Sequence, residues 1–213
     1  MDWTLLDIKS KIRRLTGRPD TGELTEADLK NAVNQYYRNV LPLEIPADAL
    51  RGFASQAVAV GDGGSWVLSP DLISVDHPVY LVAADGLVTP VNLFTAPVTF
   101  FRLHPEDDTG ESTPEDLLIY GRTLYLRPLA DAACTLKYAV YRRPAALSAD
   151  TDKPLDPAWG PLIAFGASIE LLKESGESEE AASLTDLYRY HRDLCGRGKT
   201  LSTPESVRAI PRF

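Results

Sequence analysis

Hydrophobic periodicity changes twice along this chain, and that change limits its fold more than any single residue does. Up to Val40 apolar residues recur at spacings of three and four. From about Gly52 to Arg143 they come in short β-branched or aromatic runs, and after Pro144 the helical spacing returns. A stretch that reads as strands is thus enclosed between two that read as helices.

The first segment predicts two helices. Leu5, Ile8, Ile12 and Leu15 line one face, Thr4 stands at the cap, and Asp7 lies three positions on, where a carboxylate favours a helix start. Lys11, Arg13 and Arg14 cluster toward the far end, where the dipole prefers cations, and Gly17 supplies the stop. After a turn-like stretch over 18–22, Thr25 and Asp28 repeat the capping pattern. Leu29, Val33, Tyr36 or Tyr37, and Val40 extend the apolar face. Pro42 is expected to end this second helix, because proline disfavours helical geometry in the residue before it.

The middle segment predicts strands over 53–60, 66–68, 72–75, 79–82, 98–103 and 134–142, punctuated by Gly, Pro, Asp and Ser. Its clearest element is a hairpin, 117–120 and 123–127 about Gly121-Arg122, with glycine at the first central position as a type II′ turn requires. The acidic stretch from His104 to Glu115 reads as an exposed loop.

After Pro144 a polar connector leads to Asp156, placed to cap a helix with Pro157 at its first position. Trp159, Leu162, Ile163, Phe165, Ile169 and Leu172 fill more than one face of this helix over 157–174, as a subunit interface or a bundle core demands. Ser175-Gly176 stops it, and a last helix over 178–195 follows, with Ala181, Ala182, Leu184, Leu187, Tyr188 and Leu194 marking its packing side. The short break predicts an antiparallel helical hairpin. Beyond Gly196 the pattern disappears. Arg197 and Lys199 lie in a flexible basic stretch, and 201–213 has two prolines and no periodic face, but carries Val207, Ile210, Pro211 and Phe213 as apolar anchors. Such a tail is ordered by docking on a partner.

The fold class expected is therefore α+β: a bundle of about four helices with an antiparallel β-rich region inserted between the second and third, plus an extended C-terminal arm. Residues 1–45 and 144–196 form the bundle, 46–143 the insertion and 197–213 the arm.

Composition excludes classes. The 213 residues carry a formal charge of -8, which argues against a general nucleic-acid binder. No run is long enough to span a bilayer, and Met1-Asp2-Trp3 does not begin a secretion signal. Two cysteines, Cys134 and Cys195, make no disulfide framework and suggest a reducing compartment. The C-terminal stretch sets Arg197, Lys199, Arg208 and Arg212 against Glu205 alone, and the first twenty residues are also net basic. Residues 21–195 accordingly hold more acidic excess than the whole chain shows.

Reactive constellations are not legible. His77, His104 and His191 share no metal-ligand spacing; His104 with Asp107 and Asp108 is the most ligand-rich stretch, and a solvated acidic loop accounts for it. Glu115 and Asp116 are neighbours and so point to opposite faces of a strand. Gly61-Asp62-Gly63-Gly64 lacks the Lys-Ser/Thr of a phosphate loop, no serine sits in a nucleophile elbow, and Cys195 falls at a helix C-terminus, the wrong end to lower a thiol pKa. The tyrosines and arginines of 138–143 and 188–192 fit packing better than base stacking. No enzyme and no cofactor is expected.

One family resemblance is carried by the C-terminal third. Tyr138-x-x-Tyr141-Arg142-Arg143-Pro144, then Leu147, Asp150 and Asp152, then Leu155-Asp156-Pro157, Trp159-x-x-Leu162-Ile163-x-Phe165-Gly166-Ala167 and Gly176-Glu177 together resemble the head-to-tail adaptor, or connector, proteins of tailed bacteriophages. Leu24-Thr25-x-x-Asp28-Leu29-x-x-x-Val33-Asn34-x-Tyr36-Tyr37 is similar to their second helix. The resemblance implies a structural virion component in the neck, assembled in the host cytoplasm as a homo-oligomeric ring of typically twelve copies beneath the portal protein. The bundle would build the ring wall and the insertion would face outward or toward the next neck or tail protein. DNA would pass through the lumen without specific binding, and no membrane is involved. The arm would grip the portal, with Arg197, Lys199, Arg208 and Arg212 meeting carboxylates there, and Ile210 and Phe213, beside Val207 and Pro211, filling apolar pockets. The runner-up is a neck stopper or tail-completion protein that binds an adaptor ring.

Overall fold

The structure, a computed structural model, describes residues 2–19, 22–105 and 110–200, the last five by their backbone alone. In chain order it begins with α1 (Leu5–Leu15), α2 (Glu26–Gln35), a π-helical turn over Tyr36–Val40 and α3 (Leu41–Glu44). A 3₁₀ turn (Asp48–Leu50) leads into β1 (Arg51–Val58), β2 (Ser65–Val67), β3 (Leu72–Ala83), β4 (Val88–Pro90), β5 (Asn92–Phe94) and α4 (Pro97–Leu103). There follow β6 (Glu111–Ser112), β7 (Asp116–Tyr120), β8 (Thr123–Arg127), β9 (Leu129–Ala130), β10 (Cys134–Arg142), α5 (Trp159–Glu174) and α6 (Ser178–Thr200). The chain is a mixture of helix and mostly antiparallel sheet, and it divides into two compact units, one up to Ala47 and from Pro144 onward, the other Asp48–Arg143.

In the helical unit the capping boxes form. Thr4 Oγ1 accepts from the Asp7 N–H at 3.2 Å, and Thr25 Oγ1 accepts from that of Asp28 at 3.1 Å. Gly17, at φ +66, makes the left-handed turn after α1. α5 runs through the middle, packed against α1, α2 and α6. Two of its glycines are contact points: a Cβ on Gly160 would lie 2.2 Å from the Trp3 ring, and one on Gly166 2.1 Å from the Tyr36 ring.

Three helical boundaries differ from expectation. Pro42 does not end the second helix. The chain widens into the π turn, where the Leu41 N–H donates to Tyr36 O five residues back, and α3 continues with Pro42 in its first turn. The wider turn relieves the clash a proline ring otherwise makes with the carbonyl four residues earlier. α5 starts at Trp159 rather than Pro157; Asp156 accepts from the Ala158 N–H (2.9 Å) and so closes a turn ahead of the helix. α6 does not stop at Cys195 but runs on to Thr200, so Arg197 and Lys199 lie on helical backbone and not in an extended arm. Gly196 and Gly198 each cost only about 1 kcal/mol in a helix, too little to end it among good helix formers.

The β unit holds two four-stranded sheets, ordered β1-β10-β3-β4 and β2-β8-β7-β5, and a small β6-β9 pair. Leu81, Leu136 and Val140 of the first sheet and Leu117, Leu124 and Leu126 of the second share one apolar core. The runs 72–75 and 79–82 are one strand. Tyr138 pairs with Val79 and Ala139 with Asp76, so His77 and Pro78 bulge out of the ladder, where a residue without an N–H is tolerated. Residues 98–103 are not a strand but α4: an apolar run this short fits either period, and Pro97 presets its first turn. The β7–β8 turn is type I′, not II′, with positive φ at Gly121 (56) and at Arg122 (65). The Arg122 guanidinium bonds to Ser69 O and its own carbonyl accepts from the Leu68 N–H at 2.9 Å, which holds the strained residue in place. Nor is 104–115 wholly a loop, for β6 pairs in parallel with β9.

Candidate functional site

The residues that carry the family resemblance tie the two halves of the helical unit together. Asn34, on α2, forms a two-way bond with the backbone of Leu147: its amide donates to Leu147 O at 2.9 Å, and its oxygen accepts from Leu147 N–H at 2.8 Å. Asp152 accepts from the N–H groups of Ser148 (2.7 Å) and Ala149 (2.9 Å). The bonds from Ala149 and then Ser148 hold its carboxyl below the usual range. The turn so formed presents its carbonyls to the start of α1, where Leu5 N–H donates to Asp152 O (2.8 Å) and Leu6 N–H to Asp150 O (3.1 Å). Two donors that a helix start otherwise leaves unpaired are met by a segment far along the chain.

Lys9 completes this junction. It is 6% exposed and bonds Glu26 at 2.6 Å and Asp150 at 2.7 Å. Burial pulls its pKa down, but the bonds from Asp150 and Glu26 outweigh this and leave it above the ordinary lysine value. Arg13 adds a second bond to Glu26 at 2.9 Å. Elsewhere in the unit, Tyr37 Oη accepts from Leu155 N–H at 3.0 Å, Arg18 pairs with Glu177 at the α5–α6 break, and Tyr36 donates to the Tyr188 hydroxyl at 2.6 Å beside Glu44. Burial first, then the Glu44 charge, pushes the Tyr36 phenol well above its usual range.

The six α5 residues Trp159, Leu162, Ile163, Phe165, Ile169 and Leu172 are all buried within this unit. On α6 one row of apolar side chains is open. Ala181 and Tyr188 face the interior, whereas Leu187, Tyr190 and Leu194 are 49%, 60% and 46% exposed. Leu187 and Leu194 are therefore not on the packing side, and Ala182 is exposed as well. Tyr190 was not legible as a surface residue, although spacings of three and four place 187, 190 and 194 on one stripe, offset from that of 181 and 188. Of the arm residues, Arg197 and Lys199 fall on the α6 backbone, while Val207, Arg208, Ile210, Pro211, Arg212 and Phe213 lie outside the described residues.

No reactive cluster is assembled among the described residues, and no three His, Cys, Asp or Glu side chains there come together as metal ligands. His104 Nε2 bonds Asp116 Oδ2 at 2.8 Å, and Asn92 donates to the other oxygen at 2.9 Å; Asp107 and Asp108 lie outside the described residues. Tyr138, Tyr141 and Tyr188 are buried, which leaves their rings unavailable for base stacking. No described helix is long and apolar enough to cross a membrane.

The chain is thus a mixed helical and sheet protein with a row of apolar side chains exposed on its last helix. The chain belongs to the SU10 adaptor protein family, whose model matches residues 3–194. It is thus a bacteriophage adaptor-type structural protein of the virion. The match ends at residue 194, and residues 195–213 lie beyond it. No curated protein matches the chain.

Proposed function

We propose that this chain is a head-to-tail adaptor that docks on the portal as a ring and extends the DNA channel toward the tail. A helical bundle of residues 1–45 and 144–196 forms the ring wall, 46–143 is the inserted β-rich domain, and the C-terminal segment grips the portal. The ring sits in the neck, assembles in the host cytoplasm from about twelve copies, and meets the next neck or tail protein on its far side.

The observation that carries this reading is the outer stripe of α6. Leu187, Tyr190 and Leu194 are exposed side by side on the helix that leads into the arm. Three large apolar side chains on one helical face favour burial against another chain. The -8 charge suits a wall along which DNA slides, since a cationic lumen would release counterions and hold phosphate. Arg208 and Arg212, with Ile210 and Phe213, supply the arm with charges and apolar anchors for the portal.

Deletion of 201–213 tests the arm. Full-length protein is expected to bind isolated portal rings and the deletion to lose that binding; equal binding by both overturns the portal-gripping role.

A further inference from the structure

Each of the two compact units carries an exposed apolar patch edged by charge, and the two charges are opposite. On the helical unit the patch is the row Leu187, Tyr190 and Leu194 of α6, and it is continuous with one side of α1. Lys11 Nζ lies 5.6 Å from the centre of the Phe165 ring, His191 stacks on that ring at 5.3 Å, and Tyr190 meets His191 at 5.5 Å between centroids. Arg14, exposed one turn further along α1, extends the same side. Among the described residues neither Lys11 nor Arg14 is ion-paired. The nearby carboxylates are engaged, Asp7 on the Thr4 cap, Asp186 with Arg189 at 3.3 Å and Asp193 with Arg192 at 3.6 Å. Glu179 and Glu180 stand at the far start of α6. Two unpaired cations therefore edge the apolar row.

On the β unit the patch lies at one end of the first sheet. Val58 pairs with Cys134 and Cys134 with Ala83, so the end of β1, the start of β10 and the end of β3 lie side by side. Residues 59–64, 84–88 and 131–133 form the rim there, and it exposes Val60 (51%), Leu87 (64%) and Val88 (56%). The rim carries Asp62, Asp85 and Asp131 and no Lys, Arg or His. Asp62 and Asp85 cap their own turns, accepting from the Ala59 and Leu87 N–H groups at 2.9 Å. Among the described residues none of the three aspartates is ion-paired. Of the neighbouring cations, Arg127 is buried and bonds the carbonyls of Gly63, Gly64 and Leu126, and Lys137 lies further along β10. β1 begins at Arg51 and β10 ends at Arg142, so the chain enters and leaves this unit at the other end of the sheet.

We propose that this acidic rim of one copy seats on the α1–α6 surface of the next copy. Val60, Leu87 and Val88 meet Leu187, Tyr190 and Leu194, while Asp85 and Asp131 meet Lys11 and Arg14. Opposite charges at the edge of an apolar contact fix its register and disfavour the pairing of either patch with itself. Because each patch meets a different one, copies add head to tail, and such a contact closes into a ring when its rotation permits. Three apolar side chains on each side fall short of the roughly 800 Å² per partner that a stable pair buries. The contact therefore forms among copies already held together on a common base, where the effective concentration is high. The inference rests on the ring reading above and names the two surfaces that build the ring.

The test uses two charge-reversed full-length chains, Lys11→Glu with Arg14→Glu and Asp85→Lys with Asp131→Lys, each incubated with portal alone and then as an equal mixture. Either variant alone sets like charges across every junction and is expected to give no rings. In the mixture the two kinds alternate, every junction again pairs opposite charges, and rings return. A contact within one chain cannot be rescued in this way. Rings from either variant alone at the parent's yield, or a mixture as defective as its components, overturn the inference. Should Lys11→Glu prevent folding, Arg14→Glu alone, at an exposed site, takes its place. If the unaltered chain makes no ring on portal, the adaptor reading fails by itself, and the contact is read without portal by sedimentation at high protein concentration. There the mixture must sediment faster than either variant, and equal sedimentation overturns the inference.

Discussion

Asn34 and Leu147, 113 positions apart, exchange two hydrogen bonds that pin the chain as it re-enters the helical unit onto α2. Asn34→Ala removes a donor and an acceptor together and leaves the Leu147 N–H and C=O without partners. A loss of about 1–3 kcal/mol is expected, measured by urea denaturation. Asn34→Asp keeps the acceptor but sets a carboxylate against the Leu147 carbonyl, and should cost at least as much.

The close approach of α5 to the π turn at Gly166 gives a second prediction. A Cβ there would fall 2.1 Å from the Tyr36 ring, so Gly166→Ala must push Tyr36 away from the Tyr188 hydroxyl it bonds. The expected cost is about 1–3 kcal/mol, despite the better helix propensity of alanine. Gly166→Ala melting at or above the temperature of the parent protein would contradict this packing.

Acid dependence follows from His191, whose ring stacks on Phe165 at 5.3 Å between centroids. Burial first, then the neighbouring Lys11 charge, lowers its pKa from 6.5. Because the folded state resists protonation more than the unfolded chain does, this contribution is complete above pH 6.5 and declines as the pH falls through that value toward the lower folded pKa. Denaturation midpoints taken across that range should fall with pH in the parent protein and less steeply in His191→Gln.

The open stripe on α6 separates folding from assembly. Leu187→Glu with Leu194→Glu changes two exposed residues, so monomer stability should move by no more than about 0.5 kcal/mol for each. The same variant should fail to form a ring on portal. Sedimentation of the unaltered protein alone at low micromolar concentration is expected to give monomers, with rings appearing only when portal is added.

Local signals were the legible ones. The capping pairs Thr4–Asp7 and Thr25–Asp28 and the stop at Gly17 depend on residues within one turn of each other, and so can be read from spacing. The same locality misled at Pro42 and Gly196, where the residue type marks a break but the surrounding chain accommodates it through a π turn or continued helix. Asn34–Leu147, Lys9–Asp150 and the parallel pairing of β5 with β7 join distant residues, and no spacing rule announces them. Amphipathicity also left α6 ambiguous: it bears two apolar stripes, and only packing shows that Tyr188 turns inward while Leu187, Tyr190 and Leu194 do not.

Electron cryomicroscopy of the full-length protein mixed with its portal tests the central claim most directly. The account predicts a closed ring seated beneath the portal, with 201–213 ordered against portal subunits. Portal particles that carry no ring, or a ring whose C-terminal segments touch only adaptor chains, would contradict it.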